Sequence, residues 1–121
     1  MSRRDEIHRL QDVVERISRI KFSETLLIQS ENNENEEIAN TAFDAILYDL
    51  LVIGEAVKSL SNPIKERNSI VPWENITGMR NILAHEYFRV DGGVVRATID
   101  APLEILRTVC IEELAQKNNQ A

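Results

Sequence analysis

Apolar residues recur at helical spacing along most of the chain. Ile7, Leu10, Val14 and Ile17 fall on one stripe, widened by Val13 and Ile20, and predict a helix from about Asp5 to Lys21. Arg3, Arg4, Arg9, Arg16 and Arg19 lie off that stripe. The polar, acidic run from Ser30 to Glu37 reads as a solvated loop leading into the next helix. That helix is expected from Glu36 to about Leu60, with two apolar seams. One is Ile46, Leu50, Ile53, Val57 and Leu60; the other is Ile38, Ala42, Ala45, Val52 and Ala56. A helix apolar on two sides belongs at the centre of a bundle. Gly54 interrupts it at a cost of about 1 kcal/mol relative to alanine, which a close approach by another helix would explain.

Asn62-Pro63 predicts a short helical turn and Pro72 the start of a further helix, because proline suits the first helical positions. Trp73, Ile76, Leu83 and Tyr87 space the apolar side of that helix. Asp91-Gly92-Gly93 breaks it and caps a short segment through Ile99. Asp100-Ala101-Pro102 restarts the chain for a last helix, with Leu103, Leu106, Cys110 and Leu114 as its stripe. No segment alternates as a strand does. The expected fold is all-α: an antiparallel helical bundle of four main helices and one or two short ones, in a single domain over residues 1–121.

Composition agrees with the pattern. Only 4 glycines and 3 prolines in 121 residues favour long helices over a turn-rich sheet, and 43% apolar content supplies a core. The lone cysteine, Cys110, excludes an internal disulfide and suits a reducing, cytoplasmic setting, with a buried structural thiol as the simplest role. The first residues, Met1 to Glu6, are polar and read as no signal peptide, and no run reaches membrane-spanning length. With 14 basic and 20 acidic residues the net charge is −6. That argues against passive RNA coating, which needs many Lys and Arg contacts, but not against an enzyme that gathers a few cations at one cleft. No Cys/His cluster or carboxylate set has metal-ligand spacing, and no glycine-rich phosphate loop is present.

The most informative segment is Arg80-Asn81-Ile82-Leu83-Ala84-His85-Glu86-Tyr87. Cutting RNA without a metal needs a base for the 2′-hydroxyl proton, an acid for the leaving oxygen and a cation for the phosphorane. Histidine is best matched to the proton transfers, and arginine grips two phosphate oxygens at once. Tyrosine stacks on a base or donates its hydroxyl. Helix geometry adds a condition: at about 100° per residue, Arg80 and Tyr87 align, whereas His85 sits roughly 140° round from Arg80. Either the helix loosens near His85 or two copies of the motif meet across a dimer. Taken alone, Arg80 and His85 are better read as a surface arginine and a helix-capping histidine, and Tyr87 as a half-buried core aromatic. Asp49 and Glu55 on the central helix are candidates to line the cleft but fit paired or solvent-facing carboxylates better, His8 fits an exposed or structural residue, and Trp73 a packing anchor rather than a base-stacking platform.

Two blocks carry a resemblance. The residues Ile53-Gly54-Glu55-Ala56-Val57-Lys58-Ser59-Leu60-Ser61, followed by Pro72-Trp73-x-x-Ile76-x-Gly78-Met79-Arg80-Asn81-x-Leu83-x-His85-x-Tyr87-Phe88-x-Val90-Asp91, resemble the HEPN-domain toxins of the HepT kind. The likeness runs from about Leu50 to Leu114. It implies a helical HEPN fold, a homodimer, and RNA cleavage by Arg80 and His85 at the dimer cleft, with Asn81 orienting substrate or partner. Products would carry a 2′,3′-cyclic phosphate, and no cofactor is implied. It also implies a type II toxin–antitoxin pair whose antitoxin is a minimal nucleotidyltransferase that attaches AMP to Tyr87. The region before Leu50 matches this pattern less clearly.

A different function class is a non-catalytic helical module that binds a nucleotidyltransferase, which the acidic charge mildly supports. The intact Arg80, His85 and Tyr87 set counts against it, since a scaffold has no need of all three. A purely structural bundle would require both blocks to arise by chance.

Overall fold

The structure is a computed structural model that describes residues 2–86 and 90–119. Six helices account for most of them: α1 (Arg3–Asn32), α2 (Glu36–Ser59), α3 (Asn62–Arg67), α4 (Trp73–His85), α5 (Gly92–Ile99) and α6 (Ala101–Asn119). Four are long and two short, and no strand occurs among the described residues, as the periodicity predicts.

The first helix starts on a cap: the Ser2 hydroxyl accepts from the Asp5 N–H at 3.1 Å, and Asp5 and Glu6 lie in the first turn, where negative charge suits the helix dipole. Its C-terminal end is a correction. The helix continues past Lys21 to Asn32 and takes in the first part of the run read as loop. Its inward face is continued there by small serines, Ser23 and Ser30, both buried, and by Leu27, which packs against the core. A serine on the inner face is invisible to an apolar pattern, yet no proline or glycine precedes Gly54 to stop the helix. At 30 residues, α1 is about 45 Å long.

The turn into α2 is a tight Schellman closure. Asn35 N–H donates to Ser30 O at 2.8 Å and Glu34 N–H to Glu31 O at 3.1 Å, with Glu34 in the left-handed region at φ 56°. The Asn35 side chain then caps α2 by accepting from Ile38 N–H at 3.2 Å. So short a connection makes α1 and α2 an antiparallel hairpin, the backbone of the bundle. On the hairpin's other side, α2 packs on α4 and α1 on α6, while α5 sits against α6. Leu10, Val13, Ile17, Ile53, Val57, Leu103, Leu106 and Cys110 form the middle of one continuous core.

The two seams expected on α2 have different fates. Ile46, Leu50, Ile53, Val57 and Leu60 are all buried. In the second, Ala42 and Ala56 are buried, Val52 is half-buried, and Ile38 and Ala45 are exposed. The reason is coverage. The groove of about 720 Å³ beside Ile38 and Ala45 is lined only by residues of α1 and α2, so no later helix reaches it.

Polar ties fix the remaining helices. Glu113 of α6, 3% exposed, accepts from Arg67 Nε at 2.9 Å, Arg67 Nη2 at 2.5 Å and Asn68 Nδ2 at 3.0 Å. The Trp73 indole N–H donates to the carbonyls of Lys65 and Asn68, which makes it the packing anchor expected. Burial would raise the Glu6 carboxyl, but the Ser61 N–H at 2.9 Å and nearby Lys117 outweigh it and hold it below its ordinary value. His8 is exposed. Among the described residues no helix is long and apolar enough to cross a membrane.

Candidate active site

The motif helix α4 turns Ile76, Met79 and Leu83 into the core. This face sets Arg80 against α2 at Gly54. A β-carbon placed on Gly54 would lie 2.2 Å from Arg80 Cβ and 2.8 Å from Arg80 Cγ, far inside contact distance. The glycine is therefore required by the approach of α4, as its cost in mid-helix suggests.

The arginine stem lies along α2 and its guanidinium is held at two points. Nε donates to Glu55 Oε1, and Nη1 donates to Asn81 Oδ1 at 2.9 Å. The Arg80 side chain is only 17% exposed, whereas Glu55 is half exposed. A guanidinium carries five N–H donors. Among the described residues, Glu55 and Asn81 are the acceptors that hold the group.

His85 is the last residue of α4 and is exposed. It stands in the final turn, where a positive charge suits the helix dipole. The helix ends just after it: Glu86 leaves helical geometry at φ −137° and ψ 44°, and its N–H closes the turn on Ile82 O at 2.7 Å. The loosening expected near His85 thus comes one residue too late to redirect it. With both residues helical, His85 stays roughly 140° round the axis from Arg80. One protomer presents the two groups on different sides of α4. Tyr87 lies outside the described residues.

Of the other carboxylates, Asp49 is part of the hairpin rather than of the site. It is 3% exposed and accepts from Arg16 Nη1 at 2.9 Å, with Arg19 Nε at 3.8 Å. The bond to Asp49 raises the Arg16 pKa further, against the opposing effect of burial, and Arg16 also lies 5.5 Å from the centre of the Tyr48 ring. Glu55 is the residue whose part the sequence left open, and it proves to be the partner of Arg80. The one signal that could have found it is Gly54 beside it, which marks where another helix arrives. Among the described residues no group of three His, Cys, Asp or Glu side chains is placed to hold a metal ion. Neither of two large surface grooves, about 780 and 720 Å³, is lined by Arg80 or His85.

Comparison with known proteins points the same way. A family model described as Ribonuclease HepT-like matches residues 4–113. The chain is 41% identical over 73 residues to a protein of Caldanaerobacter subterraneus subsp. tengcongensis provisionally named as an RNase, covering 60% of this chain and 64% of that one. It is 36% identical over 92 residues to a protein of Methanocaldococcus jannaschii with a similarly provisional RNase name, covering 75% and 80%. It is 35% identical over 63 residues to a protein of Thermococcus cleftensis provisionally named as a ribonuclease HepT, covering 52% and 57%. The first and third matches span somewhat less than two thirds of those relatives. No solved structure matches the chain.

Proposed function

Because the chain belongs to the HepT-like ribonuclease family, we propose that it is a toxin that cuts RNA without a metal, using Arg80 and His85 at the cleft of a homodimer. The observation that carries this reading is the fixed Arg80 guanidinium, anchored at Nε and Nη1, five residues before an exposed histidine.

The chemistry follows from the side chains. Neutral His85 takes the proton of the RNA 2′-hydroxyl, and the 2′-oxygen forms a bond to phosphorus. The bond from phosphorus to the 5′-oxygen breaks, and a protonated histidine gives that oxygen a proton. The products are a 2′,3′-cyclic phosphate and a 5′-hydroxyl end. Arg80 steadies the charge that builds on the non-bridging oxygens. One histidine cannot be base and acid in the same step, so two copies of the motif serve the reaction best.

The surface supports a homodimer. Ile38, Thr41, Ala45, Tyr48, Val52 and Glu55 follow one another at spacings of three and four along α2, the pattern of a helix-pairing stripe. Ile38 is 42% and Tyr48 57% exposed, although both are large apolar groups. The stripe ends at Glu55, the partner of Arg80. A second copy laid along it would bring a second motif toward the first, which answers the roughly 140° separation within one protomer.

The partner reading rests on the family. A nucleotidyltransferase antitoxin would neutralise the toxin by attaching AMP to Tyr87, where a bulky anion two residues from His85 would repel RNA phosphates. Asn81 contributes by holding Arg80.

The test is cleavage of a defined RNA by purified protein in a chelator. Wild type should leave 2′,3′-cyclic phosphate ends, and Arg80→Ala and His85→Ala should not, while both remain folded. Equal cleavage by all three would refute the assignment of these residues. Inactivation of Tyr87→Phe by the antitoxin as readily as wild type would refute control through that tyrosine.

A further inference from the structure

We propose that Glu55 is a positioning residue for Arg80, holding the guanidinium so that only its outer end meets the scissile phosphate. This rests on the ribonuclease reading above and deepens it.

An arginine has four side-chain torsions, and a mobile one stabilises a transition state poorly because its orientation must be fixed during the reaction. Three features of α2 and α4 remove that freedom. Gly54 has no Cβ, which lets the Arg80 stem lie directly on the α2 backbone. Glu55, the next residue, takes the Nε–H. Asn81 takes one Nη1–H at 2.9 Å from the adjacent position on α4. With Nε–H and Nη1–H engaged in this way, Nη2 is the end of the guanidinium that the proposal assigns to the phosphate.

The charge on Glu55 has a second consequence. A carboxylate bonded to the guanidinium offsets part of its attraction for an intact RNA phosphate. In the proposed arrangement the Nη2 donors meet the oxygens whose charge grows in the transition state. That arrangement favours the transition state over the bound substrate. Half exposed, Glu55 contributes little packing, so changing it leaves the fold intact.

The experiment is steady-state cleavage of a short RNA oligonucleotide by wild type, Glu55→Ala, Glu55→Gln and Arg80→Ala, with thermal unfolding of each. Glu55→Ala should lower kcat by about tenfold to a hundredfold without raising KM, because the anchor is lost while the repelling charge is gone too. Glu55→Gln should keep most of kcat, since its amide oxygen still accepts from Nε, and should lower KM because a repelling charge is gone. Both Glu55 variants should unfold near the wild-type temperature, and Arg80→Ala, which loses the packing of its stem on Gly54, should remain folded at the assay temperature. Wild-type kcat in Glu55→Ala, beside an inactive Arg80→Ala, overturns the positioning role and leaves the ribonuclease reading standing. Equal loss in the Ala and Gln variants also overturns it, since charge and not anchoring would then matter. Full activity in Arg80→Ala removes the catalytic arginine and this proposal with it.

Discussion

Gly54 and Arg80 meet where α2 and α4 cross: a β-carbon on the glycine would fall 2.2 Å from the β-carbon of the arginine. The clash involves the inner stem of Arg80, which cannot swing aside as a side-chain tip would. Gly54→Ala should therefore push the helices apart and destabilise the protein by about 1–3 kcal/mol, despite alanine's better helix propensity. Urea unfolding measures this. The same variant should cleave RNA more slowly, because Arg80 moves with α4. A gain in stability would show that the helices do not approach this closely.

The opposite sign is expected at the hairpin turn. Glu34 holds a left-handed conformation at φ 56° that costs an ordinary side chain about 1–2 kcal/mol. Glu34→Gly should stabilise the protein by about 0.5–1 kcal/mol, after allowing for glycine's greater freedom when unfolded. A shift in the urea midpoint at unchanged slope would report it.

Acid should loosen the strap between α3 and α6. The Arg67 guanidinium, against the effect of burial and with help from Asn68, holds Glu113 below its ordinary value of 4.5. A carboxylate with a lowered folded pKa stabilises the fold fully above its unfolded value, and that contribution is lost as pH falls through the folded one. Wild type should lose stability below about pH 4.5 from this group. Glu113→Gln should be less stable by about 1–2 kcal/mol at pH 7 and lose less on acidification; the figure is modest because Arg67 is half solvated. Unfolding curves at pH 7 and pH 4 make the comparison.

Cys110 is fully buried, and burial, with Glu113 nearby, pushes its thiol up to about 12. The thiolate is the reactive form. At pH 8 the native protein should react with a disulfide reagent at least about a thousandfold more slowly than a free thiol, with full reactivity in denaturant. Rapid labelling of native protein would contradict this burial.

Much of this was legible in the sequence, and the exceptions have physical causes. Pro63 and Pro72 stand at helix starts and Asp91 caps α5, because proline and a capping side chain act on the backbone locally; α4, however, ends at His85, ahead of Gly92-Gly93, which lie in the first turn of α5. Gly54 could be read as a helix contact because its cost in mid-helix needed a reason. The end of α1 was hidden because Ser23 and Ser30 occupy inner positions that a search for apolar residues passes over. Ile38 and Ala45 looked like core because apolar spacing tells which side is sticky and not which body covers it. Glu55 could not be paired with Arg80 from spacing, since the two meet only through the packing of α2 on α4. Arg80 and His85 were both visible as residues, and their divergence followed from helix geometry alone.

The most direct test of the account is to express wild type beside His85→Ala and map RNA 3′ ends in both. The account predicts new ends bearing 2′,3′-cyclic phosphates in the wild type alone, together with arrested growth. Identical RNA ends in the two, from folded protein free of AMP, would contradict it.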